Sequence, residues 1–290
     1  MSRIIAVGIA TLDIISEVAA CPPEDAEVRA LSMRRVRGGN ATNTLVVLSL
    51  LGHACDWAGV LVDTPDAAPV RDDLARHGIG TRFCRVLEQG SMPTSCVLLS
   101  AATGSRTIVH YRDLPEFSAA DFAQVDLGDC DWLHFEGRAV EETEQMLVRA
   151  AAIRPGLPRS VEIEKPRPGI ERLFDGADLL LFSRHYARSR GFEAPRPFLE
   201  AMAREAPRAD RVCAWGEAGA AVLTHDGHWH EVAARPPERV VDTLGAGDTF
   251  NAGVIDGRLR GRDWPQALEA AVTLAGRKCG RLGFDAGLVA

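Results

Sequence analysis

Along this chain, short runs of β-branched and aliphatic residues alternate with stretches whose apolar positions recur at helical spacing. Ile4–Gly8, Cys55–Leu61, Trp132–Phe135, Ser160–Ile163, Leu179–Phe182 and Val212–Trp215 are short and almost wholly apolar, which predicts strands buried on both faces. Thr44–Leu51, Pro65–His77, Glu141–Ile153 and Pro197–Glu205 lie between them and read as helices. The first of these starts from polar capping candidates at Asn43, carries Leu45, Leu48 and Leu51 at helical spacing, and stops at Gly52. This alternation predicts the α/β class: a mostly parallel central sheet covered by helices on both faces, three layers in all.

Two stretches depart from the alternation. Ser95–Ala101 and Arg106–Tyr111 flank the turn Ala102-Thr103-Gly104-Ser105 and predict a β-hairpin. Residues 12–37 are poor helix formers and also read as β. We expect one domain over residues 1–290, with about 12–37 and 92–111 forming a small β-sheet lid. One face of such a lid covers a site and the other requires a partner, so a homodimer through the lid is expected.

Charge and composition narrow the function classes. The 33 Lys+Arg against 40 Asp+Glu leave a net charge of −7, with no basic block for nucleic acid or anionic lipid. No window approaches the roughly 18 apolar residues of a membrane span, and Ile4–Ile9 lacks the features of a cleaved leader. The seven cysteines are odd in number, scattered and never spaced C-x-x-C, so reduced thiols in the cytoplasm are expected.

The most informative stretch is Asp242-Thr243-Leu244-Gly245-Ala246-Gly247-Asp248-Thr249-Phe250, a glycine-rich turn opening a helix that contains Phe250, Val254 and Ile255 and ends around Gly257. Free amides at a helix start, with glycines permitting close approach, cradle an anion. Phosphoryl transfer needs such donors where the equatorial oxygens gather charge, and Asp248 beside them can accept an alcohol's proton. The helix terminus is expected to lower the proton affinity of Asp248; a late proton transfer makes a weak base sufficient. The run is neither G-x-G-x-x-G nor a Walker loop, which disfavours a hydride-transfer enzyme.

Asn40 and Asn43, three apart at a helix start, can face one way and bind neighbouring hydroxyls, or cap the helix. Asp13 follows the first strand near the sheet edge where open α/β folds bind ligands; a plain loop acid is the alternative. His225, His228 and His230 with Asp226 suggest a metal cluster, but Asp226-Gly227 signals a hairpin turn. His110 and His134 lie in strand-like runs and read as structural.

Asp242–Phe250 resembles the C-terminal signature of the ribokinase-like carbohydrate kinases, and Arg37-Gly38-Gly39-Asn40-Ala41-Thr42-Asn43 resembles their N-terminal glycine-pair signature. Gly104–Ile108, His134–Arg138, Ser160–Arg167, Cys213-Ala214-Trp215 with Glu217 and Gly219, and Lys278-Cys279-Gly280 before Gly283-Phe284-Asp285 place the likeness on the ketohexokinase branch. The resemblance implies a ribokinase-like fold and an ATP-dependent kinase acting on a primary hydroxyl of a ketohexose, D-fructose at O1, with Mg²⁺. Alternatives are another acceptor (fructose O6, another keto- or deoxy-sugar, a nucleoside) and a non-catalytic sugar or nucleotide sensor. A monovalent cation such as K⁺ stays open as an addition.

Residue by residue, the resemblance implies Asp248 as the base, with Gly245, Ala246 and Gly247 as the anion hole. It implies Asp13, Gly39, Asn40 and Asn43 on the sugar. It places Arg106 on the nucleotide phosphates, Gly216, Glu217, Ala218 and Gly219 along the nucleotide, and Ala275, Gly276 and Cys279 on its adenine side. The N-x-x-E metal motif of many relatives is replaced by Ser183-Arg184-His185-Tyr186. Glu162 and Glu164 share one strand face and could order metal-bound water or pair with Lys165 and Arg167, so the metal ligands stay unassigned.

Overall fold

The structure is a computed structural model that describes residues 1–290. The chain begins with β1 (Arg3–Val7), β2 (Thr11–Val18), β3 (Ser32–Gly38), α1 (Asn40–Leu50), β4 (Ala54–Ala58) and β5 (Val60–Val62). It continues through α2 (Ala68–Arg76), β6 (Ile79–Gly80), β7 (Arg85–Leu87), β8 (Thr94–Ser100), β9 (Arg106–Tyr111), α3 (Ala119–Phe122), β10 (Trp132–Glu136) and α4 (Val140–Ile153). β11 (Arg159–Ile163), β12 (Leu179–Ser183), α5 (Arg184–Ser189), α6 (Pro195–Glu205), β13 (Asp210–Ala214), β14 (Ala220–Leu223), β15 (Trp229–Val232), α7 (Ala246–Leu259) and α8 (Trp264–Cys279) complete it.

The nine-stranded main sheet has the order β15-β14-β13-β12-β11-β10-β1-β4-β6. All neighbours from β13 to β6 are parallel, and β14 alone runs against the rest, pairing antiparallel with both β13 and β15. From β1 the chain moves one way across the sheet through α1 to β4, whereas from β10 it moves the other way through α4 to β11. Right-handed crossovers in opposite directions place their helices on opposite faces. Accordingly α1 packs with α7 and α7 with α8, while α4 and the 3₁₀ segment Ile170–Gly176 cover the other side. Ile4, Ile5, Leu133, Leu180 and Val212 are fully buried between these layers, each contributing on the order of 1.5–3 kcal/mol by leaving water.

Three departures from the pattern-based reading have local causes. The run Cys55–Leu61 is two strands, because the chain breaks at Gly59 and β5 pairs with β7 in a separate two-stranded sheet. A Cβ at Gly59 would lie 2.3 Å from the Trp57 ring. The first helix starts at Asn40 rather than beyond Asn43, with Gly39 at φ 103° as its N-cap and no side-chain cap; the asparagines are free for other work. Finally α8, capped by Asp263 through the Gln266 N–H, occupies a segment for which the apolar pattern predicts no element.

The predicted hairpin is present as β8 and β9, joined antiparallel. It belongs to a four-stranded sheet of order β3-β2-β8-β9, set beside the main sheet. Asp226-Gly227 turns β14 into β15, with His225 paired to Asp210 and His228 to Asp226.

Candidate active site

β1 and β10 are neighbours from which the chain leaves in opposite directions, and open α/β sheets bind ligands outside the carboxyl ends of strands at such a point. Here the chain after β1 is held by Glu136 at the end of β10, whose Oε2 accepts from the Ile9 N–H at 3.0 Å. The two glycines before α1 allow the strand–helix turn to close on this corner. A Cβ at Gly39 would sit 2.2 Å from the Ile9 carbonyl, and one at Gly38 would sit 2.1 Å from Asp13 Oδ2.

Asn40 and Asn43 then emerge on one side of the first turn of α1, and their partners are carboxylates. Asn40 Nδ2 donates to Glu162 Oε2 at 3.1 Å and to Glu164 Oε2 at 3.2 Å. Its amide oxygen carries no partner within the chain, so it can accept from a ligand hydroxyl. Asn43 Nδ2 donates to Asp248 Oδ2 at 2.7 Å, while its Oδ1 accepts from Arg37 Nη1 at 2.7 Å. Both ends of Asn43 are therefore committed to the protein. Arg37, 1% exposed at its side chain, is itself fixed by Asp73 at 2.8 Å and by Thr42. Asp13 accepts from Thr11 Oγ1 at 2.8 Å through Oδ1, and its other oxygen lies against Gly38.

Asp248 stands in the first turn of α7 and is buried. Burial raises its carboxyl to about 7; the Asn43 bond and Arg37 pull the other way, and the charges of Glu164 and Glu136 add to the rise. This reverses the expectation of a lowered value, because loss of water outweighs the helix terminus. Glu162 is pushed up as well, by its own burial first and then by Asp248, Glu164 and Glu136. It also accepts from Asn251 Nδ2 at 3.0 Å, so one buried carboxyl ties α1 to α7.

The turn before α7 presents its amides outward. Gly245 adopts φ 76°, and a Cβ there would lie 2.4 Å from Phe284. The N–H groups of Gly245, Gly247 and Asp248 make no hydrogen bond within the chain, whereas Ala246 N–H donates to the Thr243 carbonyl at 3.3 Å. Of the three expected anion-hole residues, Ala246 thus has its amide engaged in the turn, and Asp248 supplies a free one.

Residues two apart on a strand share a face. In the small sheet, Asp13 aligns with Ser95 and Ser95 with His110, and Glu17 aligns with Leu99 and Leu99 with Arg106. Arg106, His110 and Asp13 therefore lie on one face. Arg34, opposite Ile15 on that face, reaches Asp242 at 3.7 Å, so this face looks onto the glycine turn. His110 lies across from Ser95, whose hydroxyl is 3.2 Å from its Nδ1, a cross-strand contact compatible with the structural role expected of it. Burial and then Arg138 lower its proton affinity.

Gly216–Ala218 forms a 3₁₀ turn at the carboxyl end of β13, and Gly219 follows at φ 104° with a Cβ position 2.0 Å from the Val232 carbonyl. The Arg184 guanidinium lies over Gly216 and donates to the Trp215 carbonyl at 3.4 Å; no motif marks it. No three His, Cys, Asp or Glu side chains converge as a metal site, and both oxygens of Glu162 already hold asparagine amides. The residues present do not form a cage for a resident metal.

Comparison with known proteins identifies the family and the fold. The model of the pfkB family of carbohydrate kinases matches residues 1–288. Mouse ketohexokinase is 42% identical over 294 residues, covering 98% of this chain and 98% of that protein. Arabidopsis thaliana ribokinase, solved with ribose and ATP, superposes with a TM-score of 0.82 at 20% identity, covering 98% of this chain and 94% of that one. Ribokinase from Cryptococcus neoformans var. grubii, solved with ADP, gives 0.76 at 18% identity, covering 98% and 95%. These two structures establish the ribokinase-like fold.

Proposed function

The chain belongs to the pfkB family of carbohydrate kinases and is an ATP-dependent sugar kinase; from that premise we propose that it phosphorylates a ketohexose on a primary hydroxyl, D-fructose at O1. The substrate reading is carried by the full-length 42% identity to mouse ketohexokinase. The chemical reading is carried by Asp248, a buried carboxyl beside free main-chain amides.

In this reading Asp13 and the free oxygen of Asn40 bind sugar hydroxyls at the first turn of α1, close to Gly39. Asn43, anchored by Arg37, holds Asp248 in place. The sugar O–H donates to Asp248; its oxygen attacks the γ-phosphorus in line, the bond to the ADP oxygen breaks, and the proton passes to Asp248 late in the transfer. The amides of Gly245, Gly247 and Asp248 neutralise the migrating phosphoryl group, and Ala246 shapes the turn. Arg106 and the Gly216-Glu217-Ala218-Gly219 turn take the nucleotide phosphates and ribose side, with Arg184 beside them. The chain offers magnesium no ligand set of its own, so the ion would be held by the nucleotide phosphates and water.

The small sheet acts as the lid, closing Asp13 and Arg106 over the cleft and excluding water that competes for ATP. Its opposite face exposes Met33 at 63%, Val109 at 68% and Tyr111 at 61%, an apolar surface that supports a homodimer through the lid. No helix is long and apolar enough to cross a membrane. Initial rates over a panel of ketoses, aldoses and nucleosides, with the phosphorylated position read by phosphorus NMR, test the proposal. Fructose 1-phosphate as the dominant product supports it; preference for O6 or for a nucleoside replaces the acceptor.

A further inference from the structure

Lys278 is fully buried, an unusual state for an ammonium. It lies in the last turn of α8, where the exposed carbonyl ends of the helix favour a cation. Its Nζ donates to the Asp242 carbonyl at 3.1 Å, to Asp242 Oδ2 at 3.2 Å and to the Arg281 carbonyl at 3.4 Å, and it lies 5.4 Å from the centre of the Phe284 ring. These contacts fall on the two segments that frame the anion hole. Asp242 opens the glycine turn, and its Oδ1 accepts from the Leu244 N–H at 3.0 Å. Phe284 is the wall against which Gly245 closes. The chain is lashed to the same helix end by Val241 and Asp242 N–H groups, both donating to the Cys279 carbonyl.

We infer that Lys278 is a positioning residue for phosphoryl transfer, an internal cation that fixes the 242–247 turn and the 281–284 segment so that the Gly245, Gly247 and Asp248 amides face the cleft. This rests on the reading of those amides as the anion hole. With the ammonium removed, the Asp242 and Arg281 carbonyls lose their donor around a void, the Asp242 carboxylate keeps only the Leu244 and Gly283 N–H groups and Arg34 at 3.7 Å, and the turn relaxes. The sugar side, built on α1 and β2, does not touch Lys278. The lysine therefore acts on the transfer step rather than on sugar affinity.

The experiment compares the full-length wild type with Lys278→Ala and Lys278→Met on the best acceptor of the wild type, with and without ammonium chloride. Choline chloride serves as the ionic-strength control. The expected result is a folded Lys278→Ala protein whose kcat falls about 10²-fold, in the range of a lost transition-state donor, while KM for the sugar stays within about threefold. Ammonium, but not choline, should restore about tenfold of that loss by re-entering the cavity, while leaving Lys278→Met, whose side chain fills it, unrescued. A kcat near wild type in both variants overturns the inference. So does a loss that follows unfolding in circular dichroism without ammonium rescue, which makes the lysine purely structural. Asp248→Asn is run alongside: unchanged turnover there refutes the active-site reading itself, separately from the outcome at Lys278.

Discussion

Asn43 donates through Nδ2 to Asp248 Oδ2 at 2.7 Å, joining the first turns of two helices from residues 205 positions apart. The other end of the same amide is held by Arg37. A relay of guanidinium, amide and carboxylate thus orients the proposed base and opposes the rise in its proton affinity that burial causes.

Because burial holds Asp248 near 7, the active carboxylate form is lost on acidification. We expect kcat/KM for the sugar to be flat above about pH 8 and to fall tenfold per pH unit below about 6.5. The linkage has the opposite sign for stability. A raised folded-state value means the protonated form favours folding, so this contribution is present below pH 4 and lost as pH rises through 7. Thermal unfolding should accordingly show Asp248→Asn gaining more Tm over wild type at pH 8 than at pH 5.

The Asn43 hydrogen bond lowers the Asp248 value. Asn43→Ala should therefore move the acid limb of the kcat/KM profile to higher pH and lower kcat at pH 7 by about tenfold. A limb that stays in place would mean that Asn43 does not act through Asp248.

Gly245 combines φ 76° with a Cβ position 2.4 Å from Phe284. Gly245→Ala requires both a left-handed backbone and displacement of a ring, costing on the order of 1–3 kcal/mol. It should lower kcat by at least about 10², because the amides of the turn shift with it. Calorimetry and steady-state kinetics check the two parts separately.

Arg106 lies on the face of the small sheet that looks onto the glycine turn, and it is exposed. Arg106→Gln should raise KM for ATP by about five- to tenfold and leave stability within about 0.5 kcal/mol. An unaltered KM for ATP would place Arg106 outside the nucleotide site.

Much of the fold was legible because periodicity reports local structure. The apolar runs located β1, β10, β11, β12 and β13, and the departures from them located the β8–β9 hairpin. The glycine turn before α7 was legible from residue types alone, since small residues and an acid at a helix start have few other uses. The partners were hidden. Nothing in a one-dimensional pattern joins Asn40 to Glu162, Asn43 to Asp248 or Lys278 to Asp242, because these contacts arise only when distant strand ends meet. For the same reason the direction of the Asp248 shift was misread: the helix terminus is a local feature, whereas burial belongs to the assembled fold. α8 escaped because its last turns were read as motif residues, although Asp263 as a cap and the closing basic residues are ordinary helix signals.

The most direct test of the account measures ADP release and product position for the wild type and Asp248→Asn with ATP and D-fructose. We predict fructose 1-phosphate from the wild type and a rate at least about 10² lower from a folded Asp248→Asn protein that still binds ATP. Turnover at the wild-type rate in that variant would contradict Asp248 as the base and the mechanism built on it.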